Sequence, residues 1–169
     1  RMQFKASGVE SLTGIGELER VRRALIERWR KDGTLDRPRM SAPTIPKRMH
    51  IITGEGSAAL SDMERIITDR WPGFSYTVVP VLVQGDRAPS QIIDAIKASQ
   101  KSADLIIVGR GGGSPEDLWA FNTENVCQAI IDSKVPIVSA VGHESDLLVS
   151  DMVADIRAST PSNAIERVV

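Results

Sequence analysis

The chain has 169 residues, of which 41% are hydrophobic and 25% charged, so it can bury one core of an ordinary globular domain. Its formal net charge of -1 argues against a protein that coats nucleic acid through bulk positive charge, although a local basic site stays open. A single cysteine excludes a disulfide framework, and no apolar run reaches the roughly 18 residues of a membrane span, so we expect a cytoplasmic protein with no membrane contact.

Residues 1–48 are predicted to form an N-terminal helix followed by a proline-rich connector. The segment 17–31 is a charged amphipathic helix that Gly33 ends. The segment 36–47 contains three prolines, which exclude a helix interior and a central strand. Because the chain opens on an arginine, we expect it to be a piece of something longer.

From residue 49 onward, strand patterns alternate with helical patterns. The predicted strands are 49–53, 76–83, 105–108 and 135–141, and the last three are continuous apolar runs of the kind buried on both faces. The predicted helices are 57–70, 89–101, 115–132 and about 146–156. This spacing implies right-handed crossovers. We therefore expect an α/β fold, an open and mainly parallel sheet with helices on both faces, as in Rossmann-like or flavodoxin-like three-layer sandwiches.

A glycine-rich loop follows the third predicted strand. Arg110 stands among Gly109, Gly111, Gly112 and Gly113, so bare backbone N–H groups and a permanent cation meet at one strand end. A glycine cluster after a strand is often only a tight turn. A solvent-facing arginine in such a loop has little to pack against, however, and this favours an anionic ligand.

Ser114 marks a predicted helix start directly after this loop. Its hydroxyl can cap free N–H groups, and Pro115 suits the first helical position, where no N–H is needed. Since helix N-termini bind anions, Ser114 joins the glycines as a predicted phosphate-binding residue.

The other strand ends carry the remaining candidate residues, because ligands of open α/β sheets bind beyond the carboxyl ends of the strands. After the fourth strand, His143 and Asp146 are spaced so that the carboxylate can orient the imidazole or share a metal with it. A capping aspartate beside a surface histidine is the alternative. Asp62 lies early in the first helix of the sheet region, where it could only complement the dipole. His50 starts a strand away from this edge and is interpreted as structural.

Two further groups are also interpreted as structural. Cys127 lies in a helical apolar pattern and is expected to be a buried small hydrophobe. Asp151, Asp155 and Arg157 are expected to form a solvated or salt-bridged helix face.

Five motifs in order resemble the catalytic domain of the exonuclease VII large subunit family. They are the segments 70–72, 83–89, 108–122, 136–146 and 153–162, and the resemblance covers about residues 40–169. The sequence departs from the family pattern at Thr53-Gly54, where Thr-Ser is usual, at Glu55, and at residues 164–166. These departures concern substrate positioning and not the class of reaction.

The resemblance implies an exodeoxyribonuclease that degrades single-stranded DNA from either end to oligonucleotides with 5′-phosphates. By position, it implies Asp62, Arg110, His143 and Asp146 as catalytic residues of one site. It implies residues 49–169 as the catalytic domain, with the family's N-terminal OB-fold and C-terminal helical region absent. Single-stranded DNA and the small subunits would be its partners, and a homodimer stays open.

No cofactor is certain for such an enzyme, and a metal-free hydrolysis is the first choice. If Mg²⁺ is used, Asp62 and Asp146 are its candidate ligands. A second hypothesis is a phosphate- or nucleotide-binding module without nuclease activity of its own, although no Walker lysine follows the glycines.

Overall fold

The computed structural model describes residues 2–114, 116–141 and 147–169, with side chains from residue 16 onward in those ranges. It divides into two compact units, Arg1–Arg37 and Pro38–Val169. Within the described residues, no helix is both long and apolar enough to cross a membrane.

The N-terminal unit consists of one long helix and a short turn. Helix α1 spans Met2–Lys31, so it begins well before the helix predicted from residue 17. Gly33 then adopts a left-handed conformation with φ of 85°, and a 3₁₀ turn over Thr34–Asp36 follows. Glycine suits this helix end because it has no Cβ to clash in the left-handed region.

Within the described residues, the second unit is built on a five-stranded sheet. Its strands are β1 (Met49–Thr53), β2 (Tyr76–Pro80), β3 (Leu105–Gly109), β4 (Ile137–Ala140) and β5 (Ile156–Arg157). They lie in the order β2-β1-β3-β4-β5, and every pair is parallel. The predicted α/β class is therefore confirmed. The short β5 was not predicted, because two residues carry no periodic signal.

Helices cover both faces of this sheet. They are α2 (Ala58–Arg70), α3 (Ala88–Ser99), α4 (Glu124–Ile131), α5 (Val149–Val153) and α6 (Pro161–Val168). Helices α2 and α6 pack on one face, over a core that includes Met49, Ile51 and Ile107. Helices α3, α4 and α5 pack against one another on the opposite face. Right-handed crossovers require this division, since the chain runs from β1 outward to β2 and then back past β1 to β3.

The burial of the strands corrects one prediction. Strand β3 is buried throughout, as its apolar run predicted. The strand predicted over 76–83 does form, as β2, but it ends at Pro80 and is only partly buried. The prediction that it is buried on both faces is wrong. In the described sheet β2 pairs with β1 alone, and an edge strand is covered less completely than a central one.

The proline-rich connector is tied to the sheet unit by hydrogen bonds. Arg39 Nη1 donates to the carbonyl of Val153 at 2.7 Å, and the Asp104 carboxylate accepts the backbone N–H of Arg48 at 3.0 Å. These bonds connect the segment before β1 to α5 and to the start of β3.

Candidate active site

The strand order places a crevice between the carboxyl ends of β1 and β3. From β1 the chain turns toward β2, whereas from β3 it turns the other way toward β4. In open α/β sheets ligands bind at such a switch point, because the two connections diverge there. The loop after β1 and the glycine loop after β3 therefore flank the crevice, at one edge of the sheet as predicted.

The glycine loop lies against the first turns of α2. A Cβ added to Gly109 would lie 3.4 Å from Cε of Met63, and one added to Gly111 would lie 4.0 Å from Cβ of Ala59. The backbone N–H of Arg110 donates to the carbonyl of Ala140 at 3.2 Å, which continues the pairing of β3 with β4 for one more residue. The loop is thus fixed on two sides where it leaves the sheet.

The Arg110 side chain folds back over this loop. Its Nη1 donates to the carbonyl of Gly111 at 3.0 Å. A Cβ added to Gly113 would lie 2.4 Å from that Nη1 and 3.1 Å from Cζ, so the guanidinium occupies the space that a side chain there would need. The sequence predicted a solvent-facing arginine with little to pack against, and this is wrong: the side chain is half-buried because glycine leaves room for it.

A residue that the sequence did not single out contacts the same guanidinium. The side chain of Gln84, in the loop after β2, accepts a hydrogen bond from Nη2 of Arg110 at 2.6 Å. Nε of Arg110 is buried and has no hydrogen-bond partner among the described residues. The one available signal was the position of Gln84 just after a strand of the same sheet, within a segment that resembles the family.

A buried hydroxyl ends the neighbouring strand. Thr53, the last residue of β1, is fully buried, and its Oγ1 has no partner in the described part of the chain. Ser57 then begins α2, since its Oγ accepts the N–H of Leu60 at 3.1 Å. A groove of about 560 Å³ runs beside this loop, between Gly54 and residues 80–84.

Asp62 lies in the second turn of α2, on the flank next to Ala59. Its carboxylate is exposed and forms an ion pair with Arg65 at 3.6 Å. Asp62 follows Ala59, which lies beside the glycine loop, by three residues along α2. Within the described contacts, however, its cationic partner is Arg65 and not Arg110.

The comparison with known proteins identifies this site's family. Residues 36–169 match the family described as "Exonuclease VII, large subunit". The chain belongs to this family. The match begins close to Pro38, where the sheet unit itself begins.

Curated relatives of the exonuclease VII large subunit family agree with this match. The chain is 48% identical over 160 residues to the exodeoxyribonuclease 7 large subunit of Alkaliphilus oremlandii (strain OhILAs), covering 93% of this chain and 39% of the relative. It is 46% identical over 170 residues to the protein of that name from Desulforudis audaxviator (strain MP104C), covering 99% of this chain and 42% of the relative. The chain thus spans about two fifths of the length of these relatives.

His143 and Asp146, which the resemblance to the exonuclease VII family singles out, lie outside the described residues. Their roles stay predictions. Strand β4, which precedes them, ends at Ala140 beside Gly109 of β3. The strand end that leads to His143 is therefore adjacent to the strand end that carries Arg110.

The helix predicted over 115–132 is wrong in its first half. The Ser114 hydroxyl does accept the N–H of Asp117 at 3.3 Å, but a 3₁₀ turn over Trp119–Asn122 follows, and α4 begins only at Glu124. Pro115 lies outside the described residues. Since α4 begins at Glu124 and not at the glycine loop, its dipole does not lie at the predicted phosphate site, whereas the first turn of α2 lies against that loop at Ala59.

The surroundings of Asp151 and Asp155, which follow β4, also differ from the prediction. Asp151 is buried and accepts hydrogen bonds from Oγ of Ser139 at 2.8 Å and from the N–H of Leu148 at 3.2 Å. Burial raises the pKa of its carboxyl, because desolvation disfavours the charged form. Asp155 accepts the N–H of Ile137 at 3.0 Å. These carboxylates support backbone, and since α5 ends at Val153 and Arg157 lies in β5, the three residues do not share a helix face. The predicted electrostatic pairing keeps some support, because the nearby charge of Arg157 counteracts part of the rise in the pKa of Asp151.

The contacts and burial of His50 and Cys127 agree with their interpretation as structural residues. His50 bonds through Nδ1 with Oγ of Ser99 at 3.0 Å, and burial lowers the pKa of its imidazole. Cys127 is fully buried, and burial raises the pKa of its thiol. Among the residues that the structure describes, no group of three or more His, Cys, Asp or Glu could hold a metal ion.

Proposed function

We propose that residues 49–169 form the catalytic domain of a single-strand-specific exodeoxyribonuclease, with residues 1–48 as its N-terminal helix and connector. The enzyme would hydrolyse DNA phosphodiester bonds from either end and release oligonucleotides with 5′-phosphates. The proposal rests on one observation above all: a chain of this family holds a half-buried guanidinium over a glycine loop at the β1/β3 switch point.

Arg110 and the backbone amides of Gly111, Gly112 and Gly113, with Ser114 beside them, are assigned to the scissile phosphate. Negative charge develops on the non-bridging oxygens as water adds to phosphorus, and positioned donors stabilise it most in a site that excludes water. A planar guanidinium can donate two bonds to one phosphate group. Gly109 completes the loop by allowing its close approach to Met63.

His143 is assigned the proton transfer, oriented by Asp146. As a general base it would take a proton from the attacking water while the new P–O bond forms. The bond from phosphorus to O3′ then breaks, and O3′ leaves with a proton from a general acid, the other role open to His143. Breaking this bond leaves the phosphate on the 5′ side, as the proposed products require.

Asp62 is the third group of the proposed site. It would hold a water, position Arg110, or bind Mg²⁺ together with Asp146. A hydrolysis that needs no metal is our first hypothesis, and no step above depends on one. Single-stranded DNA and the small subunits of the enzyme are the proposed partners, a homodimer is a further candidate, and the cytoplasm is the proposed location.

The test uses the full-length large subunit assembled with its small subunits. Single-stranded and double-stranded DNA, labelled at either end, should show release of short oligonucleotides from the single strand only, with and without chelator. His143→Ala should reduce turnover by about 10² or more, since a general acid or base contributes roughly 10² to 10⁴ in rate.

His50, the other histidine of the chain, provides a matched control. His50→Gln changes a residue bonded to Ser99 at the amino end of β1, so its turnover should stay near that of the wild type. Binding of single strands without any cleavage by the wild-type assembly would favour the phosphate-binding module instead. Equal turnover of His143→Ala and His50→Gln would remove His143 from the mechanism.

A further inference from the structure

Gln84 and Arg110 bridge two loops that leave the sheet on opposite sides of β1. Gln84 follows β2 and Arg110 follows β3, and β1 lies between these strands. Their side chains nevertheless meet, with 2.6 Å between Oε1 of Gln84 and Nη2 of Arg110. The contact therefore crosses the carboxyl end of β1, at the crevice where the family's substrate is proposed to bind.

The two groups that accept hydrogen bonds from the Arg110 guanidinium carry no charge. In the described part of the chain, the guanidinium donates to the Gly111 carbonyl and to the Gln84 amide oxygen, which are both neutral. A carboxylate in either place would hold the side chain as well, but it would also cancel most of the charge offered to a phosphate. Neutral acceptors orient the arginine and leave its charge available.

The packing of Arg110 leaves Gln84 as its adjustable support. The main chain fixes the Gly111 carbonyl, and Gly113 supplies a surface without a side chain on which the guanidinium lies. A long side chain that loses a partner regains rotamer freedom, which must be removed again in the transition state. Gln84 holds the guanidinium from the side facing the β2 loop.

We propose that Gln84 is a positioning residue for Arg110, which it holds in place for the scissile phosphate without neutralising it. This inference rests on the proposed function of Arg110. Gln84→Ala should lower kcat on single-stranded DNA about tenfold, with KM little changed because the net charge is the same. Gln84→Glu keeps the shape and the hydrogen bond, yet it should lower kcat further and raise KM, since its carboxylate pairs with Arg110 and repels DNA.

The comparison of these variants separates positioning from a merely structural role. A structural role predicts that the isosteric Gln84→Glu is the milder change, whereas positioning without neutralisation predicts that it is the more harmful one. Gln91 supplies the control, because its Oε1 accepts the N–H of Leu82 at 2.8 Å and supports the same loop. Gln91→Ala should keep wild-type turnover.

The experiment is steady-state kinetics of the assembled enzyme, with melting temperatures for every variant. In an Arg110→Lys background, Gln84→Ala should cause less than its full tenfold loss, because the Nη2 that it holds is gone. Wild-type kinetics for both Gln84 variants, or full additivity with Arg110→Lys, would overturn the inference. If Arg110→Ala itself had wild-type turnover, the proposed function would fail instead, and the two failures are therefore distinguishable.

Discussion

Gly113→Ala should displace Arg110, the proposed catalytic arginine, without unfolding the protein. The added Cβ would lie 2.4 Å from Nη1, 3.0 Å from Nη2 and 3.1 Å from Cζ of Arg110. Gly113 is not among the glycines with positive φ, so its backbone accepts alanine without strain. The group that has to move is the end of a flexible side chain, and moving it costs the fold little.

The expected loss of activity follows from the size of that movement. Nη1 must shift by about 1 Å to reach an ordinary contact distance from the new methyl group, and a misplacement of about 1 Å can cost roughly 10² in rate. We therefore expect turnover of single-stranded DNA by the assembled enzyme to fall by about 10 to 10². The melting temperature should stay within about 2 °C of the wild type, as is usual for a surface change worth less than about 0.5 kcal/mol.

Gly111→Ala is the matched control in the same loop. Its Cβ would lie 4.0 Å from Cβ of Ala59, an ordinary contact, and the backbone N–H is retained. We expect it to lose much less turnover than Gly113→Ala. Equal losses in the two variants would show that the loop responds to any added methyl group, and near wild-type turnover of Gly113→Ala would refute the proposed role of the guanidinium position.

Three further substitutions test the site and its supporting carboxylates. Arg110→Lys keeps the charge but loses the planar fork, so turnover should fall at least about tenfold; near wild-type turnover would mean that charge alone suffices. The raised pKa of Asp151 means that the folded state binds its proton more tightly, so urea titrations should show a stability component that is present below about pH 4 and lost as pH rises through that pKa. Asp151→Asn should lack this component, and identical pH profiles would contradict its assignment. Asp155→Ala removes the acceptor of the Met40 and Ile137 amides, so the free energy of unfolding measured by urea denaturation should fall by about 1 to 3 kcal/mol. An unchanged free energy of unfolding would show that water replaces the carboxylate as acceptor.

Local patterns in the sequence determined the frame of the site. The apolar run that became β3 and the helical periodicity around it required parallel strands, because crossovers of that length return the chain in the same direction. Parallel strands bring their carboxyl ends to one edge, which placed Arg110 and the loop after β1 together. The motifs in order then identified the family, and the comparisons confirm it.

Tertiary structure decided what no local pattern encodes. Strand order made β2 an edge strand, although its apolar run is typical of a buried one. The capping pattern at Ser114 describes the turn correctly but does not fix where α4 begins. A 3₁₀ turn that buries Phe121 and Asn122 lies between Ser114 and α4. The bond between Gln84 and Arg110 joins loops from non-adjacent strands. A sequence pattern specifies period and caps over one element, whereas such contacts depend on which strands become neighbours in the folded sheet.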